Sequence, residues 1–331
     1  MRFDEALEPT RVIEIHRSGL IVAPDVAAQK EFVLGGRWFN LPADERPTVG
    51  DWILVNPETR AVETLLERMS LIKRRSPSGE VQPIAANIDT AFIVTSCNSD
   101  FSLARLERYL AVVRQDGIQP VVVLTKSDLS DDPESFREQT QSLGGNLVVE
   151  LVNALVEEDL SPLASWCGSG RSIALLGSSG VGKSTIVNTL AGSALQDTQA
   201  SREGDNKGRH TTTRRSLFRL PTGGVILDSP GMREFQITDA DSGVHAVFED
   251  IEELALDCKF GDCAHASEPG CVVRDAIESG QLEERRLQSY FKLLREDRNN
   301  TETIVERHAR ARDFGKKVKA HVHTKLKPRR G

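Results

Sequence analysis

The spacing Gly177-x4-Gly182-Lys183-Ser184 leaves this chain few folds to choose from. Glycines let such a loop turn backbone N–H groups inward onto phosphate oxygens, and a helix starting at the lysine adds unpaired N–H groups and its dipole. The loop needs a buried strand before it and a helix after it. Ser172-Ile-Ala-Leu-Leu176 reads as that strand, and Thr185-Ile-Val-Asn-Thr-Leu190 reads as the start of that helix. The pattern predicts an α/β nucleotide-binding domain in which Gly177, Ser178, Ser179, Gly180, Val181, Gly182, Lys183, Ser184 and Thr185 cradle phosphates. Lys183 would reach the β- and γ-phosphates, and Ser184 would place its hydroxyl on Mg2+.

Two further motifs flank this loop in an unusual order. Thr125-Lys126-Ser127-Asp128 comes first, after the apolar run Val121–Leu124. Asp228-Ser229-Pro230-Gly231 comes last, after Val225-Ile226-Leu227. The Asp128 carboxylate can accept hydrogen bonds from guanine N1–H and the 2-amino group, whereas adenine would leave it unpaired. Lys126 can lay its methylene stem along the base. Thr125 stands where Asn is usual and can still supply a side-chain hydrogen bond. Asp228 would hold Mg2+ through water, and the Gly231 N–H would meet the γ-phosphate. An ordinary GTPase begins with its phosphate loop and reads the base near its end, so this domain reads as circularly permuted. Whatever follows Gly231 is then joined directly to the element that senses the γ-phosphate. Met232 has no group that orients water, so unaided hydrolysis should be slow.

Ser193 to Arg215 is polar and carries no apolar period, which predicts a loop in the place of the first switch. Within Gly208-Arg-His-Thr-Thr-Thr213, Thr212 is the candidate to cap Mg2+. His210 either positions the attacking water or is an exposed loop histidine. Val152-Asn153-Ala154 is the candidate, on a poor match, for the fifth base-contacting motif.

Cys258-x4-Cys263-x-His265-x5-Cys271 places three thiols and an imidazole close together, with Gly261, Pro269 and Gly270 for turns. Three cysteines and a histidine form a closed tetrahedral set for one structural zinc. Cys97 and Cys167 stand alone and read as packing residues. The formal net charge of −7 argues against wholesale coating of nucleic acid. From Glu306 to Gly331, however, Arg307, Arg310, Arg312, Lys316, Lys317, Lys319, Lys325, Lys327, Arg329 and Arg330 face only Glu306 and Asp313. Such a basic arm suits a phosphate backbone, the alternative being a solvated tail. Its lack of serial apolar residues argues against a membrane anchor. No apolar run is long enough for a membrane span, and the polar N-terminus does not resemble a signal peptide, so a reduced, cytoplasmic protein is expected.

Length and pattern predict three parts. Residues 1–75 carry short strand candidates separated by turn signals, which fits a small β-barrel of OB type; a plain structural barrel fits the same pattern. Residues 76–234 alternate strands and helices, and Lys73 to Glu80 reads as a linker before them. Residues 235–331 read as helical and charged around the zinc knuckle, with a long helical stretch from Gln281 to Asp313.

Together, the motif order, the Cys-x4-Cys-x-His-x5-Cys knuckle and the N-terminal barrel pattern resemble the bacterial ribosome small subunit-dependent GTPase A family. Gln82-Pro-Ile-Ala-Ala-Asn87-Ile88-Asp89 is similar to that family's entry into the nucleotide domain, and Gly208–Thr213 to its first switch. The resemblance implies an OB barrel, a permuted domain that binds and hydrolyses GTP to GDP, and a zinc domain. It also implies docking on the 30S subunit and its 16S rRNA late in maturation, with subunit-stimulated hydrolysis; a monomer is expected. Two other classes compete: an RNA-binding module that only senses nucleotide, and an ATP-using enzyme, against which Asp128 argues.

Overall fold

The computed structural model describes residues 7–16, 19–23, 29–75, 81–193, 216–228 and 240–300. A single large sheet runs through most of them. Its parallel part is β8 (Thr90–Ser96), β9 (Gln119–Thr125), β10 (Val148–Val152), β11 (Ser172–Leu176) and β13 (Val225–Asp228), in the order β10-β9-β8-β11-β13. The near-continuous Val, Ile and Leu runs of these strands reflect burial on both faces. Side chains alternate across the sheet: Phe92 and Val94 enter one core with Val121, Val123, Ile173 and Leu175, while Ala91 and Ile93 enter the other with Val122 and Leu124. Helices α4 (Ser161–Ala164) and α5 (Lys183–Ala191) cover the first face through Leu163, Ile186 and Val187. Helices α2 (Leu103–Gln115) and α3 (Pro133–Gln141) cover the second, with Leu106, Leu110 and Val113 of α2 buried there.

The sheet continues past β13 through the antiparallel β12 (Ser216–Arg219) to β1 (Glu8–Ile15), joined at Glu14↔Ser216. On the far side, β1 pairs with β2 (Leu20–Ala23) and β4 (Trp52–Asn56), β2 with β3 (Lys30–Phe32), and β4 with β5 (Ala61–Leu65). A bridge between Val33 and Ala61 brings the two outer edges together. Val12, Leu20, Val22, Phe32, Ile53, Val55 and Val62 fill the interior with Trp38 of α1 (Gly36–Phe39), whose Nε1 donates to the Val62 carbonyl at 3.2 Å.

Lys73 and its neighbours do not form a linker as far as Arg75. They end β6 (Leu71–Arg75), which pairs with β7 (Val81–Ala86) as an antiparallel hairpin. Leu71-Ile72-Lys73-Arg74 does not alternate apolar with polar residues; pairing with β7 makes it a strand, and Ile72 is fully buried. The Ala-Ala-Asn-Ile-Asp segment that follows locks this hairpin to the large sheet. Asn87, in the left-handed conformation, donates to the Gly50 carbonyl at 3.1 Å, and Asp89 accepts from the Ser172 N–H at 2.8 Å. Arg11 of β1 completes the junction, donating to Gly50 O, Asn87 O and the Ser172 hydroxyl.

Beyond residue 240 the chain is helical: α6 (Asp241–Val247), α7 (Glu249–Leu256), α8 (Val272–Glu278) and α9 over residues 284–300. The expected helical stretch from Gln281 thus begins at residue 284, and its part beyond 300 lies outside the described residues. These helices share a core with α2: Val244, Phe248 and Leu287 pack in the same cluster as Leu106 and Leu110. A buried ionic network joins them too. Glu107 of α2 is fully buried and accepts from Arg285 at 3.1 Å and Arg286 at 3.3 Å. Arg286 also grips Asp250 through 2.6 and 2.7 Å bonds and donates to the Val247 carbonyl. Each charge in this network has a partner of opposite sign, the condition under which ionised groups are tolerated inside a protein.

Candidate nucleotide site and metal cluster

All the described nucleotide candidates lie at one edge of the sheet. Strands β9, β10, β11 and β13 run parallel, so the chain segments leaving their C-terminal ends emerge together. Strand order reverses between β8 and β11, and open α/β sheets place ligands at such a switch point. The loop Gly177–Gly182 leaves β11 there, and α5 starts at Lys183.

Backbone conformation explains the glycines. Gly177, Gly180 and Gly182 have φ of 142°, 79° and 99°, in the region that favours glycine. A Cβ on Gly177 would also strike the Val94 carbonyl oxygen of the adjacent strand. Val181 turns inward and is buried in the core beneath the loop, while Ser179 and Gly180 are exposed above it. The Lys183 ammonium donates to the Gly177 carbonyl at 2.8 Å and to the Ser178 carbonyl, so its charge lies across the loop. Ser184 and Thr185 follow in the first turn of α5 and are half-buried.

Thr125 ends β9 fully buried, against the phosphate loop. Its hydroxyl lies 2.6 Å from the Val181 carbonyl and 3.1 Å from that of Thr95, and can donate to either. The position usual for Asn is therefore filled by a shorter side chain that still ties the base segment to the phosphate segment. Lys126 takes a left-handed φ of 57°, turning the chain into a 3-10 turn, Ser127–Leu129, which leaves Asp128 exposed. Val152 pairs with Thr125 across β10 and β9, so Asn153 and Ala154 emerge beside this segment. Asn153 donates its N–H to Asp159, and the Ala154 carbonyl accepts from Thr189 of α5 at 2.9 Å. The backbone of Asp228 ends β13 next to β11. Gly231, Met232, His210, Thr212 and the basic arm lie outside the described residues.

Later in the chain, Cys258, Cys263, His265 and Cys271 bring one ligand atom each to within 4.8 Å of one another. The Cys258 and Cys271 sulfurs are 4.0 Å apart, and His265 Nδ1 lies 3.7 and 3.3 Å from them. Tetrahedral ligands at zinc–sulfur bond length would be separated by about 3.8 Å, so the donor set and spacing suit such an ion. The knuckle holds its shape locally. His265 has a left-handed φ of 54°, and its carbonyl accepts from Arg274 at 2.8 Å. Glu268 accepts from backbone N–H groups including those of Ala264, Ala266 and Ser267, which hold its carboxyl below the usual range. The other cysteines are inert packing groups: burial pushes the Cys97 thiol up to about 11 and that of Cys167 to about 12.

The sequence reading missed Arg105, whose Nη1 donates to the Ser178 hydroxyl at 2.6 Å across a separation of 73 residues. No motif marks an arginine inside an ordinary amphipathic helix. The Glu107–Arg286 contact, across 179 residues, was likewise without a local signal.

Residues 65–238 match the family described as RsgA GTPase. The chain is similar to "Small ribosomal subunit biogenesis GTPase RsgA 2" of Vibrio parahaemolyticus, 48% identical and covering 96% of this chain and 87% of the relative. It is also similar to "Small ribosomal subunit biogenesis GTPase RsgA" of Mesorhizobium japonicum, 46% identical over 90% of this chain and 86% of the relative. Among solved structures, YjeQ from Thermotoga maritima shares the fold with a TM-score of 0.65 at 24% identity, covering 87% of this chain and 99% of that one. YloQ, described as a circularly permuted GTPase, aligns with a TM-score of 0.58 at 24% identity over 91% of this chain and 99% of its own.

Proposed function

Because the chain belongs to the RsgA GTPase family, we propose that its GTP hydrolysis serves biogenesis of the small ribosomal subunit, the role named for its relatives. The convergence of Thr125–Asp128, Gly177–Thr185 and the end of β13 on one sheet edge carries this reading. The loop N–H groups and Lys183 hold the phosphates; Asp128 accepts from the guanine edge, flanked by Lys126 and Ser127. Thr125 keeps the base segment in register with the loop. Ser184 and Thr212 would hold Mg2+, with Asp228 acting through water; the ion supplies charge neutralisation at the phosphate oxygens. The Gly231 N–H would sense the γ-phosphate, and His210, or a group of the subunit's rRNA, would orient the attacking water, which Met232 cannot do. Zinc at Cys258, Cys263, His265 and Cys271 would hold the knuckle together.

We place the three parts at 1–75, 76–234 and 235–331, with the β6–β7 hairpin spanning the first boundary. The order β1-β2-β3-β5-β4-β1, closed through the Val33–Ala61 bridge with α1 between β3 and β4, supports an OB-type barrel in the first. With the basic arm, this barrel meets the 16S rRNA of the 30S subunit in the cytoplasm, the protein acting as a monomer. GTPase assay with and without 30S subunits tests the reading. Turnover should rise by about a thousandfold with subunits, the scale of a supplied positioning group. A rate indifferent to 30S would refute the proposed role.

A further inference from the structure

The roles above leave the contact between α2 and the phosphate loop unused. Arg105 stands in the first turn of α2, and its Nη1 meets the Ser178 hydroxyl at 2.6 Å. Asp100 also holds this nitrogen, with its carboxylate at 2.9 Å and its carbonyl at 3.3 Å. Tyr109 stands one turn further along α2 and is buried. The carbonyl of Ser178 faces the opposite way and accepts from the Lys183 ammonium, as does that of Gly177. One loop residue is thus held at its hydroxyl by α2 and holds the phosphate-binding lysine at its carbonyl. The peptide is free to rotate about its soft dihedrals, beside glycines at 177 and 180, unless something outside the loop fixes it.

We infer that Arg105 is a positioning residue for the phosphate loop: by fixing Ser178 it sets where the Lys183 ammonium stands and thereby favours a triphosphate over a diphosphate. A guanidinium suits the task because its donors are set in a rigid plane and it remains charged. Lys183 serves the γ-phosphate as well as the β-phosphate, so its displacement costs GTP more than GDP. The inference rests on the reading of Lys183 as a phosphate ligand.

Binding of GDP and of a non-hydrolysable GTP analogue to the full chain tests it. Arg105→Ala should weaken the analogue by about tenfold and GDP by about twofold, the scale of losing a hydrogen bond to a charged group. Ser178→Ala should do at least as much, and adding Arg105→Ala to it should do nothing further. An unchanged affinity for the analogue, equal losses for both nucleotides, or additive losses in the double variant would each overturn the assignment. Ser178→Ala carries the GTP-over-GDP comparison should Arg105→Ala fail to fold. Lys183→Ala, measured in parallel, separates the two levels. If it binds both nucleotides as the parent does, the phosphate-loop reading fails and the inference falls with it. If it loses the analogue while Arg105→Ala does not, only the positioning role fails.

Discussion

The phosphate loop and the metal knuckle are both short, glycine-containing turns rich in reactive side chains, yet they are held by opposite means. The loop is shaped by what surrounds it. β11 is buried from Ser172 to Leu176, Val181 plugs into the core, Gly177 lies against Val94, and Thr125 and Arg105 reach in from other elements. Around the knuckle, most of the stretch from Asp257 to Gly270 is at the surface, with His265 buried within it and Cys271 just after it. The loop's shape therefore precedes its ligand, and the knuckle's shape should depend on its ion.

Removing the ion should have the largest effect of any change tested. In small zinc modules the metal supplies about 10 kcal/mol or more of folding free energy. Cys271→Ser in the full chain is expected to lose its metal and to open residues 257–271 to limited proteolysis. Full metal content with native resistance to protease would erase the contrast. Lys183→Ala should behave the other way. Turnover should fall by about a thousandfold, as when a donor is lost at a developing charge, while the melting midpoint moves by no more than about 2 °C. A large drop in midpoint would mean that Lys183 shapes its loop rather than only serving it.

Two smaller effects probe the helix between these regions. Glu107 is buried against Arg285 and Arg286, so Glu107→Ala leaves the buried Arg286 with Asp250 as its remaining carboxylate partner. A loss of about 3 kcal/mol is expected in denaturant unfolding, by the cost of breaking a buried pair from one side. A loss below about 1 kcal/mol would place the network at the level of a surface ion pair. Asp116, at the end of α2, is the mildest case. Burial raises its carboxyl to about 6, against the pull of Lys73. The folded chain then keeps a proton that the unfolded chain releases near pH 4, so stability falls as pH rises from about 4 to 6. Asp116→Asn should remove that slope and gain about 1 kcal/mol at pH 7.5, after discounting for partial exposure. Parallel urea titrations at pH 4.5 and 7.5 measure it, and an unchanged slope would rule Asp116 out as its source.

What the sequence made legible follows the same division. Gly177–Ser184, Thr125–Asp128 and the Cys-His knuckle stood out because each is a local spacing of the kind that phosphate, base or metal binding would impose, and local spacing survives in one dimension. The apolar runs before the three motifs likewise located β9, β11 and β13. The Asn87 junction was visible only as a resemblance. Its reason lies in Gly50 and Ser172, which meet it from distant segments. Arg105 and Glu107 gave no signal, since their partners sit 73 and 179 residues away and either residue suits an exposed helix face equally well. The linker reading of Lys73–Arg75 failed because a run of charge carries no strand signal of its own, and the pairing that makes it a strand comes from β7.

The pairing of Glu14 with Ser216 has a mechanical corollary. Ser216 opens β12, next in sequence to the stretch containing His210 and Thr212, and Glu14 belongs to β1, which pairs with both β2 and β4 of the N-terminal unit. A hinge between the two units would have to break this bridge as well as the Arg11 junction, because they share one backbone ladder rather than a flexible tether. An object seated on the N-terminal unit therefore does more than raise the local concentration of the nucleotide edge: it fixes that edge's bearing, as a bolted bracket fixes the angle of what it carries.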